Sequence, residues 1–394
     1  MAKKLRMDWG LFAVSVALAL FGVMMVYSAS AIIAIKENSN EYSYVTKQGI
    51  FAIIGIVLMI GISQMHYKRL ENEWLIIGCL TVTVILLAAV FAFPPTNGAR
   101  RWIKLAGLTF QPSEIAKPVL SLFLAYFLTK NEKAVGLFKQ TILPCLMVLG
   151  VLSAMILFEP DLGTVIVMAA IFTVVYFAAG ARLIHIAGVG AGLLLILAAA
   201  LIFQPYRLAR LTAYLNPWEQ ASGVGYQVTQ SLMAVGSGGV FGVGFGRGQL
   251  KLFYLPFPYS DFIFAVVAEE LGLVGALLVV LAFGVLLWRG ARAALMAPDR
   301  FGKLLGIGLI TGIIVQAFFN MSVVLGILPT KGIPLPFISY GGSSILMTLV
   351  SVGILLNISR HAGFVELEAK EDLSETGPRS APRRRPVRAR TREA

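Results

Sequence analysis

Leu255–Gly272 reads LPFPYSDFIFAVVAEELG, a proline-broken loop that runs into an apolar segment continuing to Trp288. Asp261 stands at the junction, and Glu269 and Glu270 lie inside the apolar run. About 20 apolar residues suffice for a helix to cross a bilayer, so the segment reads as a membrane span. Ionisable groups at that depth are costly and persist where they pair or take part in chemistry. Outward from this stretch the apolar pattern recurs. Candidate spans are Leu11–Ile32, Val45–Ile62, Leu75–Phe93, Pro112–Leu128, Thr141–Leu157, Gly163–Ala179, Leu183–Phe203, Phe262–Trp288, Leu304–Leu328 and Phe337–Ile358. The chain is 58% hydrophobic and 13% charged, where a soluble domain carries roughly a quarter charged residues. The expected fold is an all-α polytopic membrane protein of about ten transmembrane helices.

Lys and Arg fall in alternate short loops: Lys3, Lys4 and Arg6, then Lys68 and Arg69, then Lys130, Lys133 and Lys139, then Arg289, Arg292, Arg300 and Lys303. Such loops are retained in the cytoplasm, so both termini are expected there. Trp9, Trp74 and Trp288 lie at span ends as interfacial anchors. The first apolar run is too long for a cleaved signal, and further spans follow it. Residues 1–361 then form a transmembrane domain, with one large extracytoplasmic loop, 204–260, between the seventh and eighth helices. Residues 362–394 read as a cytoplasmic, Arg-rich, disordered tail. Much of the net charge of +13 lies beyond Gly377, where Arg383-Arg384-Arg385 suits solvent or anionic membrane lipid; no nucleic-acid partner is expected. Cys79 and Cys145 both fall within spans, which excludes a structural disulfide and a Cys metal site. His66, His185 and His361 are scattered and read as interfacial residues.

The unusual residues gather in the loops assigned to the extracytoplasmic side. Asn97–Lys104 reads NGARRWIK, placing Arg100, Arg101 and Lys104 on a face where cations are disfavoured. They suit a polyanionic ligand such as a diphosphate, gripped by guanidinium groups, or lipid headgroups, or a neighbouring acid. In Gln111–Pro118, QPSEIAKP, Pro112 suits a first helical turn, and Glu114 and Lys117 share a face at i, i+3. An internal ion pair is their plain reading. Asp161, before Leu162-Gly163-Thr164, reads as an N-cap. The long loop carries a glycine-dense run from Gly236 to Gly248, expected to line a cavity or pack on protein. Lys331 is a further cation on this side, and Ser339 and Ser343 belong to a Ser and Gly cluster that opens the last span. That cluster suits helix packing or a ligand rich in oxyanions.

In this order the motifs resemble one family. The chain is similar, from about Trp9 to His361, to the SEDS proteins (shape, elongation, division and sporulation), the ten-helix family that contains RodA and FtsW. The resemblance rests on Val26–Ser30, Gly98–Ile103, Gln111–Lys117, Glu159–Thr164, Gly225–Gln230, Asp261–Gly272 and Pro334–Ser344. Arg100-Arg101-Trp102, Gln249–Pro256 and Thr330-Lys331-Gly332 look like the division-type branch. Phe257-Pro258-Tyr259-Ser260 departs from the family's usual approach to its Asp.

The resemblance implies peptidoglycan glycosyltransfer: polymerisation of lipid II, a disaccharide-pentapeptide on undecaprenyl diphosphate, at the outer face of the bacterial cytoplasmic membrane. It also implies a class B penicillin-binding protein and other division proteins as partners. Inverting transfer needs a base on the attacking hydroxyl and positive charge on the leaving group. Asp261 matches the family's catalytic position and suits the base. Arg100, Arg101, Glu114, Lys117, Lys331, Ser339 and Ser343 are then the expected substrate-binding set, and Asp161, Glu269 and Glu270 structural or cavity groups. A divalent cation, Mg2+ or Mn2+, bridging Asp261 and the diphosphate is a further expectation. The readings from other classes are a lipid II flippase, since buried charges and broken helices also mark transporters, and a scaffold that docks the transpeptidase. Within the same class stands an elongation-type, RodA-like polymerase.

Overall fold

The computed structural model describes residues 7–37, 40–95, 98–105, 108–182, 184–185, 187–188, 190–192, 214–252 and 254–375. Most of the expected seventh span, Leu183–Phe203, lies outside these residues, as do Lys3, Lys4, Arg6, Arg207, Arg210 and the tail from 376.

The helices are α1 (Trp9–Lys36), α2 (Ser43–Gln64), α3 (Glu73–Ala89), α4 (Pro112–Lys130), α5 (Leu143–Phe158), α6 (Leu162–Ala178), α7 (Tyr226–Ser237), α8 (Ile263–Leu295), α9 (Arg300–Val324) and α10 (Gly342–Glu375). Among the described residues seven helices are long and apolar enough to cross a membrane, and α6 is a shorter apolar helix. Helix α4 is charged at both ends, by Glu114 in its first turn and Lys130 in its last. Side-chain caps fix several starts: Asp8 accepts from Leu11 N at 2.9 Å, and Asp299 accepts from Gly302 N at 2.7 Å. Each satisfies a backbone donor that the helix itself leaves unpaired.

Helices α9 and α10 form the centre, with 67% and 72% of their most apolar stretches buried, whereas α2 and α3 bury 22% each and lie at the periphery. Lipid tails are as apolar as leucine, so close packing rather than water exclusion joins such helices. Small residues make the approach: a Cβ on Gly306 would meet Ala294 at 2.7 Å, and one on Gly308 would meet Ser121 at 2.9 Å. Around this centre α9 packs against α4, α6 and α8. The stretch that carries Arg100, Arg101 and Lys104 continues into an antiparallel hairpin, β1 (Ile103–Leu105) and β2 (Leu108–Phe110), with Ile103 opposite Phe110. The described part of the stretch expected to form the large loop, 204–260, carries α7 and then the glycine-rich run.

Candidate active site

Asp261 lies just before the first turn of α8, and three consecutive carbonyls hold it there. Tyr259 O accepts from Tyr340 N at 2.9 Å, Ser260 O from Ser339 Oγ at 2.6 Å, and Asp261 O from Asn320 Nδ2 at 2.7 Å. Buried carbonyls need such partners. Here the donors come from the end of α9 and the segment leading into α10, so two other elements set the height of the carboxylate. Ser260 Oγ donates to Asp261 Oδ1 at 3.1 Å. Gly332 lies flat against the group: a Cβ there would stand 2.8 Å from Asp261 Oδ2. Beneath the loop the rings of Tyr44, Tyr259 and Tyr340 pack with centroids 4.8, 5.0 and 5.8 Å apart.

The loop borders a cavity of about 660 Å³, walled also by the hairpin, the Pro160–Thr164 turn, Lys331-Gly332 and the start of α10. Arg101, Lys104, Asp161, Asp261, Lys331 and Ser343 all line it. Arg101 is anchored from behind, donating from Nε to Glu159 O at 2.9 Å and from Nη2 to Pro160 O at 2.6 Å. Asp161 caps α6, accepting from Thr164 N at 3.1 Å and Thr164 Oγ1 at 2.8 Å. Gln111 N donates to Ser343 Oγ at 3.0 Å, tying α4 to α10 at the cavity floor. Arg100 does not line the cavity; it is exposed and its Nη1 donates to Phe91 O at 3.0 Å.

Behind Asp161 sits Glu159, fully buried, with neither carboxylate oxygen hydrogen-bonded. Burial, reinforced by the charge of Asp161 and opposed by Arg101, pushes its carboxyl up to about 8. The group is therefore largely neutral at pH 7.

Glu114 and Lys117 are brought together, but away from this cavity. Lys117 Nζ meets Glu114 Oε2 at 2.8 Å and Gln316 Oε1 at 2.5 Å, and Gln316 Nε2 donates to Pro334 O at 2.9 Å. The pair lines a separate pocket of about 30 Å³ with Ser121, Thr348 and Ser351, room for about one water. Its link to the large cavity is mechanical, through Gln316 to the Lys331–Pro336 segment. Ser339 also stands behind the wall: besides gripping Ser260 O it accepts from Leu335 N at 2.7 Å. Glu269 and Glu270 reach back to the glycine-rich loop, with Glu270 paired to Lys251 and Ser28.

Asn320, Gln316 and Gln48 were not singled out by sequence reasoning, and Ser28 and Lys251 entered it only as members of the Val26–Ser30 and Gln249–Pro256 motifs. Gln48 grips Ser339 O from its Nε2 at 3.0 Å and accepts from Gly341 N at 3.2 Å. The available signal was amides inside apolar spans, where a polar group without a partner is expensive. For a divalent cation the cavity offers two carboxylates, Asp161 and Asp261. Among the described residues no group of three or more His, Cys, Asp or Glu could hold a metal.

An α-helical bundle of membrane-spanning length, with a cationic cavity and an acid delivered on a loop to its edge, defines a polytopic membrane protein built around a polar site. The model of the FtsW, RodA and SpoVE cell cycle proteins matches residues 8–363, and the chain belongs to this family. It is 42% identical over 356 residues to the probable peptidoglycan glycosyltransferase FtsW of Geobacter metallireducens, covering 90% of this chain and 95% of that one. It is 41% identical over 364 residues to stage V sporulation protein E of Bacillus subtilis, covering 92% and 99%. Among solved structures it is similar to a chain of a peptidoglycan synthase complex that coordinates polymerisation and crosslinking. That likeness has a TM-score of 0.75 at 28% identity and covers 91% of this chain and 99% of that one. It is also similar to the rod shape determining protein RodA of Thermus thermophilus, with a TM-score of 0.66 at 28% identity, covering 90% and 97%.

Proposed function

We propose that this chain is a peptidoglycan glycosyltransferase that polymerises lipid II at the outer face of the bacterial cytoplasmic membrane, in the division-type branch of its family. The observation that carries the reading is the convergence of Asp261 with Arg101, Lys104 and Lys331 on one cavity. In this reaction the 4-hydroxyl of an acceptor sugar attacks the anomeric carbon of the donor. A new C–O bond forms there, the bond to the lipid diphosphate breaks, and the hydroxyl proton passes to the Asp261 carboxylate. General-base assistance of this kind contributes about 10²–10⁴-fold. Arg101, Lys104 and Lys331 offset the charge that develops on the departing diphosphate, where prearranged cations act most strongly. Ser343 contributes a hydroxyl to the same wall.

Arg100, outside the cavity, meets the lipid diphosphate or neighbouring headgroups on approach. Glu114, Lys117 and Ser339 serve the substrate from behind, by holding the segments that present Lys331 and Asp261. Asp261 is the cavity carboxylate that would hold a Mg2+ or Mn2+ ion, since magnesium is commonly bound by one or two carboxylates plus substrate phosphate oxygens. When bound, such an ion would neutralise the diphosphate. The orientation is the one expected from the basic loops, with both termini cytoplasmic. A class B penicillin-binding protein is the transpeptidase partner, within a larger division assembly.

The test is polymerisation of labelled lipid II by the purified protein, alone and with its transpeptidase partner, comparing wild type with Asp261→Asn. Loss of glycan synthesis in a folded Asp261→Asn protein supports the assignment, and retained synthesis removes Asp261 from the mechanism. No synthesis by wild type, together with lipid II translocation in liposomes, would favour a flippase instead.

A further inference from the structure

Helix α8 is interrupted two residues beyond its pair of acids. Gly272 takes φ 67 and ψ −164, so the ladder bonds from Leu273 and Val274 back to the carbonyls of Glu269 and Glu270 are lost. The glycine-rich loop takes over all four groups. Glu269 O accepts from Val243 N at 3.0 Å and Glu270 O from Gly244 N at 3.0 Å. In return Leu273 N donates to Gly239 O at 2.9 Å and Val274 N to Val240 O at 3.2 Å. The loop is thus spliced into the helix that follows it. Only glycine permits this approach: Gly242 lies at φ +78, and a Cβ there would sit 2.1 Å from Glu270 O.

The side chains of the same two acids then take hold of the next stretch of loop. Glu269 Oε1 accepts from Gln249 N at 2.7 Å and Leu250 N at 3.1 Å. Glu270 Oε2 accepts from Gly246 N at 3.0 Å and from Ser28 Oγ of α1 at 2.8 Å. Lys251 Nζ pairs with Glu270 Oε1 and donates to Ser28 Oγ at 2.8 Å. Lys251, Glu269 and Glu270 are all nearly or fully buried. Leu250 O in turn accepts from Leu255 N at 2.8 Å, passing the constraint toward Asp261.

We propose that Glu269, Glu270, Lys251 and Ser28 form a latch whose task is to position Asp261, acting as positioning residues through the loop and not on the substrate. The inference deepens the glycosyltransferase reading and rests on it for its kinetic consequence. Buried ion pairs add little net stability when a hydrophobic isostere could replace them. This one fixes a loop that has few apolar contacts of its own to hold it, because seven of its residues between 236 and 248 are glycine. The latch also gives a role to Ser28 of the Val26–Ser30 motif in α1, whose hydroxyl touches both charged partners.

The test compares wild type, Glu270→Gln, the double variant Lys251→Met with Glu270→Gln, and Ser28→Ala, with Asp261→Asn as the inactive control. Lipid II titrations give kcat and KM, thermal melts give the folded fraction, and amide exchange by mass spectrometry covers residues 243–262. The expected result is a kcat at least about tenfold lower in the double variant, KM within about twofold, a folded fraction near wild type, and faster exchange through Asp261. Ser28→Ala should give a smaller effect in the same direction. Should Glu270→Gln alone fail to fold, the double variant, which removes both charges of the buried Lys251–Glu270 pair together, still decides. Unchanged exchange across 243–262 overturns the proposal whether or not wild type polymerises lipid II. A kcat loss that merely follows the folded fraction also overturns it. Absence of polymerisation by wild type strikes at the glycosyltransferase reading, and exchange alone then judges the latch.

Discussion

Replacing Asn320 by leucine keeps the side chain's size and removes two hydrogen bonds at once. Its Nδ2 donates at 2.7 Å to Asp261 O and at 2.7 Å to Ile333 O, from a residue that is 2% exposed. Leaving a buried acceptor without its partner costs about 1–3 kcal/mol. The two losses together come to roughly 2–6 kcal/mol before relaxation, a large part of a typical folding free energy of about 5–15 kcal/mol. The loop relaxes to recover part of this, and in doing so it moves Asp261. A displacement of about 1 Å in a reacting group costs about 100-fold in rate. The assay is lipid II polymerisation by detergent-purified Asn320→Leu, with a thermal melt of the same sample. The expected outcome is a lower melting temperature, turnover down by about two orders of magnitude, and little change in KM, since the cavity cations are untouched. Wild-type turnover in a destabilised Asn320→Leu protein would refute the view that this amide sets the position of the carboxylate.

Gly332→Ala should lower turnover at least about tenfold with little loss of stability, because the added Cβ would stand 2.8 Å from Asp261 Oδ2, the far end of a side chain that swings aside and so leaves its reacting position; lipid II kinetics beside a thermal melt check it. Arg101→Lys keeps the charge but loses the fork on Glu159 O and Pro160 O, so activity should fall about 10- to 100-fold, and wild-type rates would reduce Arg101 to a point charge. Between the ordinary value of 4.5 and about 8, folded Glu159 keeps a proton that the unfolded chain has released. Stability from this group is full below that window and is lost as pH rises through it, by up to about 1.4 kcal/mol per pH unit. Melts of wild type should therefore decline from pH 5 to 8 more steeply than those of Glu159→Gln, and parallel curves would contradict the buried neutral acid. Chelation should abolish polymerisation reversibly on adding Mg2+ or Mn2+ if Asp261 works through a cation; full activity in chelator removes the ion from the mechanism.

Much of the fold was legible because hydropathy is additive along the chain: the apolar segment after Asp261 reads as a span without any knowledge of its neighbours, and α8 covers it. Local chemistry was legible for the same reason. Glu114 and Lys117 are a turn apart, and their ion pair follows from helix geometry. The cap made by Asp161 follows from its place before Leu162-Gly163-Thr164. The rest depended on which distant segments meet. Nothing in the spacing of Lys251 and Glu270 announces a contact through Ser28, because that contact exists only after the loop has folded back on α8. Likewise Arg101 reads from sequence as a free cation for a polyanion, whereas two of its donors are committed to the Glu159-Pro160 turn. Lys117 belongs to the substrate-binding set that the resemblance implies, yet it is buried between Glu114 and Gln316 of α9, away from the large cavity. Long side chains in a membrane protein point where the bundle permits, and a linear pattern does not encode that direction.

The break at Gly272 makes loop length a fitted dimension of the molecule. One end of the intervening segment is bolted into α8 at Val243 and Gly244, and the other is slung from Tyr340, Ser339 and Asn320. One added or deleted residue between these anchors changes the path by up to about 3.6 Å, more than the tolerance of a reacting group. Surface loops generally absorb insertions with little penalty, but this one works as a gauge block, and a graft or transplanted loop must match it residue for residue.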